Sequence, residues 1–230
     1  MPKAPRISKR RAFMANIYGF PRDITPLKKE SCTKTVGGGA IHAMVKTMYR
    51  LKKTVVMVGM MGAGKTAVGT ALAKMLNVPF LDSDEELVKA ADRTIAEIFE
   101  RDGEAFFRDR EAEVIARLLR GEPCILSTGG GAFLAERNRE QIKAAGVSVW
   151  LQADLDLLWQ RVRHKNTRPL LRTDNPKETL RALYEARIPH YQKADLPVQG
   201  LPEYSIEMMA TRVIEALLTR PDVLEKGEGA

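Results

Sequence analysis

The chain holds two cysteines, Cys32 and Cys124, in 230 residues, too few for a disulfide framework or a cysteine-based metal site. Cys124 lies in an apolar run, where a thiol is buried and inert, and a reducing compartment is the expected setting. No apolar run approaches the roughly 18 residues that a membrane-spanning helix needs. Acids are scarce at the start of the chain: residues 1–50 carry Asp23 and Glu30 against eleven Lys and Arg. Residues 51–230 carry 26 basic and 27 acidic side chains, so the net charge of +8 comes from the first 50 residues. A basic excess confined in this way is not the spread of charge expected of a nucleic-acid-binding domain.

Those first residues contain Pro2, Pro5, Pro21, Pro26 and the run Gly37-Gly38-Gly39, with neither helical nor strand periodicity. They read as a disordered basic extension over 1–50. A solvated tail, or a chain start at Met44 or Met48, is the simplest account; a transit peptide fits less well because the segment is poor in serine. The 44% of apolar residues suffices for one core, expected over 51–220, with 221–230 as a C-terminal tail.

The most informative stretch is Gly59-Met-Met-Gly62-Ala63-Gly64-Lys65-Thr66, which satisfies G-x-x-x-x-G-K-[ST] and follows the apolar run Thr54–Val58. A strand leading in and a helix leading out are the context that a phosphate-cradling loop requires. Gly59, Gly62 and Gly64 lack Cβ atoms, so backbone amides can turn inward around phosphate oxygens. The N-terminus of the helix that follows adds partial positive charge there. Lys65 is expected to reach the β- and γ-phosphates and the Thr66 hydroxyl to bind Mg2+.

Short apolar runs at 54–58, 78–81, 124–127, 147–151 and 196–198 alternate with helical patterns at about 66–76, 84–100, 104–120, 132–144, 154–164, 176–192 and 205–219. Five strands separated by helices predict a three-layer α/β sandwich, a five-stranded parallel sheet with helices on both faces. Ligands in such sheets bind beyond the carboxyl ends of the strands. The second run ends in Asp82-Ser83-Asp84, two carboxylates at i and i+2 that suit a magnesium hydration shell and an acceptor hydroxyl. Capping of a helix by Ser83 or Asp84 would use the same letters.

The third run ends in Thr128-Gly129-Gly130-Gly131, where bare backbone lets a ligand come close. Arg108 and Glu111 stand at i and i+3 on a helix, so the carboxylate can hold the guanidinium. Arg168, in the proline-bearing segment Arg168-Pro-Leu-Leu171, suits a mobile lid. Taken singly, each arginine also reads as a solvated charge.

As an ordered set over residues 51–220, these landmarks resemble the shikimate kinase family: the loop 59–66, Asp82-Ser83-Asp84, Phe99, Gly103-Glu104, Phe107-Arg108 and Glu111, Gly129-Gly130-Gly131, Arg168-Pro-Leu-Leu171, and Arg187 to Tyr191. The resemblance implies the nucleoside-monophosphate-kinase-like P-loop fold with a lid, and transfer of the γ-phosphoryl of ATP to the 3-hydroxyl of shikimate. It implies ATP contacts at Gly62, Ala63, Gly64, Lys65, Thr66, Ala67 and Arg168. Asp84, Arg108, Gly130, Gly131 and Arg187 would contact shikimate, and Thr66 and Asp82 would hold Mg2+. Catalysis would fall to Asp84, Lys65 and Arg168. The implied partners are ATP and shikimate, with no nucleic acid and no membrane, for a cytoplasmic monomer. Two alternatives are a kinase of the gluconate kinase type and a non-catalytic P-loop module acting through its basic tail.

Overall fold

Strand β2 (Thr54–Val58) is buried at every position, as a strand must be when parallel neighbours flank it and helices cover both faces. The computed structural model describes residues 49–164 and 169–227. Around β2 lie β3 (Phe80–Asp82), β4 (Ile125–Ser127), β5 (Gly146–Gln152) and β6 (Leu196–Gln199), in the order β3-β4-β2-β5-β6 and all parallel. The five strands coincide with the five apolar runs to within two residues at each end. The registers set Met57 against Ser127, and Asp82 against Ser127. The carboxyl ends of β2, β3 and β4 therefore lie level.

The helices are α1 (Lys65–Leu76), α2 (Ser83–Ala91), α3 (Ile95–Leu119), α4 (Glu136–Ala145), α5 (Leu155–Val162), α6 (Pro176–Tyr191) and α7 (Ile206–Leu218). From β2 the chain crosses outward past β4 to β3, and then runs back from β3 to β4, to β5 and to β6. Right-handed crossovers in these opposite directions put α1 on one face and α3, α4 and α6 on the other. The packing agrees, since α1 meets α7 whereas α3 meets α4. The reversal at β2 opens a crevice at its carboxyl end, flanked by β4 and β5.

The helix expected over 84–100 is two helices. Asp92 takes a left-handed conformation (φ 50°), and Thr94 starts α3 with a capping box in which its hydroxyl accepts from Glu97 N while its own N–H donates to Glu97. That reciprocal pair satisfies two otherwise orphaned donors and outweighs the continuous helical pattern. The pattern Thr-x-x-Glu was present in the sequence and marks this start. Leu87, Ile98, Phe107 and Val114 form a satellite core that binds α2 to α3.

Gly103 bends α3 at φ 80°, ψ 173°, a region open almost only to glycine. A Cβ there would meet nothing within 4 Å, so the cost of adding one lies in the backbone alone. Gly103→Ala should lower stability by about 1–3 kcal/mol in urea denaturation; an unchanged midpoint would mean that the bend relaxes freely.

An antiparallel pair, β1 (Tyr49–Leu51) with β7 (Leu224–Lys226), lies outside the five-stranded sheet; β1 crosses the boundary expected at 50/51, and β7 lies within the segment expected as a tail over 221–230. Val223 and Leu224 are buried there, and Lys52 N donates to Val223 O at 2.7 Å. Among the described residues, no helix is long and apolar enough to cross a membrane.

Candidate active site

The loop between β2 and α1 borders a cavity of about 540 Å3 at the carboxyl end of the sheet. Gly62, Ala63, Gly64, Lys65, Thr66 and Ala67 all line it, as do Asp82, Asp84, Gly129 and Gly130. Gly62 needs to be glycine twice over: its φ is +85°, and a Cβ would stand 2.7 Å from Val162 Cγ1. Lys65 Nζ donates to Gly59 O at 2.8 Å and to Met60 O at 3.0 Å, which folds the lysine back along the loop that it serves.

Asp82 caps α2, its Oδ1 accepting from Asp84 N at 3.0 Å. The cap is thus neither Ser83 nor Asp84. Ser83 is buried, and the Asp84 side chain turns to the cavity. It faces the glycine turn after β4 so closely that a Cβ on Gly129 would lie 2.9 Å from its Oδ1 and 3.2 Å from its Oδ2. Thr128 secures that turn by donating through Oγ1 to Met57 O at 3.1 Å, joining the ends of β4 and β2.

Arg108 and Arg187 reach the same turn from two helices. A Cβ on Gly131 would lie 2.8 Å from both Nη1 and Nη2 of Arg108, and one on Gly130 would lie 3.4 Å from Nη1 of Arg187. Glu111, 2% exposed, accepts from Arg108 Nη1 at 3.0 Å, and Glu104 accepts from Nη2 at 3.3 Å. Burial pushes the Glu111 carboxyl up, Arg108 opposes that shift, and the neighbouring Asp84 charge adds to it. On Arg108, burial acts to lower the pKa, but Glu111 and Glu104 outweigh it and hold it above the ordinary value. Phe107 lies 5.1 Å beneath the guanidinium and packs on Phe99 at 4.6 Å between ring centroids. The fork is thereby held on two edges and one face.

Sequence reading missed Arg161. Its Nη1 donates to Gly62 O at 3.3 Å, and it lines the cavity with Gly200, Tyr204, Ile206 and Met209. Its signal was a basic residue in the last turn of the helix after β5, the strand beside the phosphate loop. Arg168 lies outside the described residues. Among the described residues there is no cluster of three metal-ligating side chains. Thr66 and Asp82 both border the cavity, and one hydroxyl with one carboxylate suits a magnesium ion that takes its other ligands from phosphates and water.

The family model described as Shikimate kinase matches residues 61–218. A protein named shikimate kinase from Cereibacter sphaeroides is 72% identical over 183 residues, covering 80% of this chain and 92% of its own length. One of the same name from Ruegeria pomeroyi is 66% identical over 197 residues, 86% of this chain and 97% of its own. A solved structure of shikimate kinase from Acinetobacter baumannii in complex with shikimate superposes with a TM-score of 0.68 at 38% identity, covering 73% of this chain and 93% of that one. With the phosphate loop, the aspartate pair and the glycine turn in one crevice, the chain belongs to the shikimate kinase family.

Proposed function

We propose that the chain transfers the γ-phosphoryl group of ATP to the 3-hydroxyl of shikimate, giving shikimate 3-phosphate and ADP. The observation that carries this reading is the position of Asp84, which borders the phosphate-loop cavity and faces the glycine turn that Arg108 and Arg187 also reach. Donor and acceptor halves thus meet at one carboxylate.

The roles follow from chemistry. Arg108 and Arg187 bind the shikimate carboxylate, a task for which a planar fork is better suited than a point charge. Gly130 and Gly131 let the ring approach bare backbone. As the 3-hydroxyl oxygen bonds to the γ-phosphorus, its proton passes to the Asp84 carboxylate and the bond to the bridging β–γ oxygen breaks. Lys65 meets the charge that develops on the phosphates, and the backbone of 62–67 orients them. Thr66 and Asp82 would hold Mg2+, Asp82 through water, and the ion would supply charge neutralisation on the phosphate oxygens. The family likeness gives Arg168 to the phosphates from the lid, where closure excludes water and suppresses ATP hydrolysis.

The reading takes the chain as a monomer that acts on two small molecules, ATP and shikimate. The buried free thiol of Cys124 and the use of ATP accord with the cytoplasm. Coupled ADP release measured with shikimate, with gluconate and with no acceptor tests the reading. Release should require shikimate, and equal release in all three would sink it.

Arg108→Lys keeps the charge and loses the fork that Glu104 and Glu111 hold. It should raise the KM for shikimate about 10-fold with kcat nearly kept; an effect confined to the KM for ATP would contradict the assignment.

A further inference from the structure

Tyr191, the last residue of α6, is fully buried, and its hydroxyl donates to Gly130 O at 2.6 Å across 61 positions of sequence. Its ring stacks on Trp150 of β5, with centroids 6.3 Å apart and planes 27° from parallel. Burial pushes the phenol up to about 12, against the opposing influence of Arg187 one helical turn earlier. The group therefore stays a donor throughout the working pH range. Gly130 is the point where these parts meet, since a Cβ there would lie 3.4 Å from Arg187 Nη1 and 3.7 Å from the Tyr191 hydroxyl.

We infer that Tyr191 is a positioning residue for the acceptor: by holding the Gly130 carbonyl it aims the Gly131 amide at shikimate. The reason is the planarity of the peptide unit. In a trans peptide the C=O of one residue and the N–H of the next point in opposite directions, so a carbonyl tied to Tyr191 turns the Gly131 N–H away from α6. The Arg108 guanidinium stands against Gly131 and the Asp84 carboxylate against Gly129, the two neighbours of the anchored residue. Glycine backbone has many accessible orientations, and a buried hydrogen bond from a ring clamped by Trp150 selects one. The same helix carries Arg187, so the amide and the second carboxylate-binding arginine are set by one element.

This inference rests on reading the site as a shikimate site. Tyr191→Phe keeps the ring and its stacking and removes only the donor. The KM for shikimate should rise about 5- to 10-fold, as expected for a buried acceptor left without its partner, with kcat within about twofold and the KM for ATP unchanged. Wild-type kinetics, or a KM for ATP that rises in parallel, would overturn it. The wild-type protein, run alongside, separates the two readings: if it turns over no shikimate, the proposed function fails; if it does and the variant matches it, only this inference fails. A second measurement needs no variant. The 15N–1H resonance of Gly131 in the wild-type protein should shift on adding shikimate without nucleotide, and a Gly131 amide indifferent to shikimate would overturn the proposal.

Discussion

Asp84→Asn should lower kcat about 1000-fold, within the range that a positioned general base contributes, while ATP binds as before. The amide has nearly the shape of the carboxylate but cannot take the hydroxyl proton, so the loss falls on the chemical step. The helix cap is unaffected, because Asp82 supplies it through Oδ1. The variant also relieves Glu111 of a neighbouring negative charge that acts to raise its pKa, so the grip of Glu111 on Arg108 should if anything tighten. A KM for shikimate near that of the wild type, with a collapsed kcat and an unchanged ATP affinity by titration calorimetry, is the expected signature. Near-normal turnover would refute the role of the base, and a loss of ATP affinity would move Asp84 to the donor side.

Gly131→Ala should lower kcat/KM for shikimate by about 2–3 kcal/mol, or roughly 30- to 150-fold, the worth of charge-assisted contacts to one carboxylate. Its backbone, at φ −89° and ψ −19°, is open to alanine without strain. The new methyl would lie 2.8 Å from both terminal nitrogens of Arg108 and 3.0 Å from Cζ. Since the colliding group is the end of a flexible side chain, the fold yields there at little cost. The guanidinium cannot yield without letting go of Glu111 and of the place where it meets the substrate. The thermal midpoint should stay within a few degrees of the wild type while the KM for shikimate rises. A variant with unaltered KM would show that the Arg108 fork does not bind the acceptor in this orientation.

Several of these relations were legible in the residues. Arg108 and Glu111 stand one helical turn apart, so their pairing follows from helix geometry alone, and the observed 3.0 Å contact is that geometry realised. The runs at the three inner strands, β2, β4 and β5, coincide with them because burial on both faces demands continuous apolar residues. The break between α2 and α3 was legible too, in Thr94 and Glu97, but a continuous amphipathic pattern obscured it.

Other relations had no local sign. Arg161 reaches Gly62 across 99 positions, and Tyr191 reaches Gly130 across 61. Neither contact has a period or a spacing, for each exists only once α5 and α6 have packed against the sheet. The pairing of Tyr49–Leu51 with Leu224–Lys226 is of the same kind, because antiparallel register across the whole chain is decided by which edges the core leaves open.

The amino-acid sequence by itself determined the phosphate loop, the alternation of the five sheet strands with helices, and the aspartates and glycines that border the crevice, since spacing and periodicity are properties of neighbours along the chain. The tertiary structure alone decided the strand order that levels the ends of β2, β3 and β4, the turning of Asp84 toward the glycine turn while Asp82 caps the helix, and the anchoring of that turn by Tyr191. These depend on packing between distant segments, where burial and hydrogen-bond satisfaction choose among arrangements that the local pattern leaves equal.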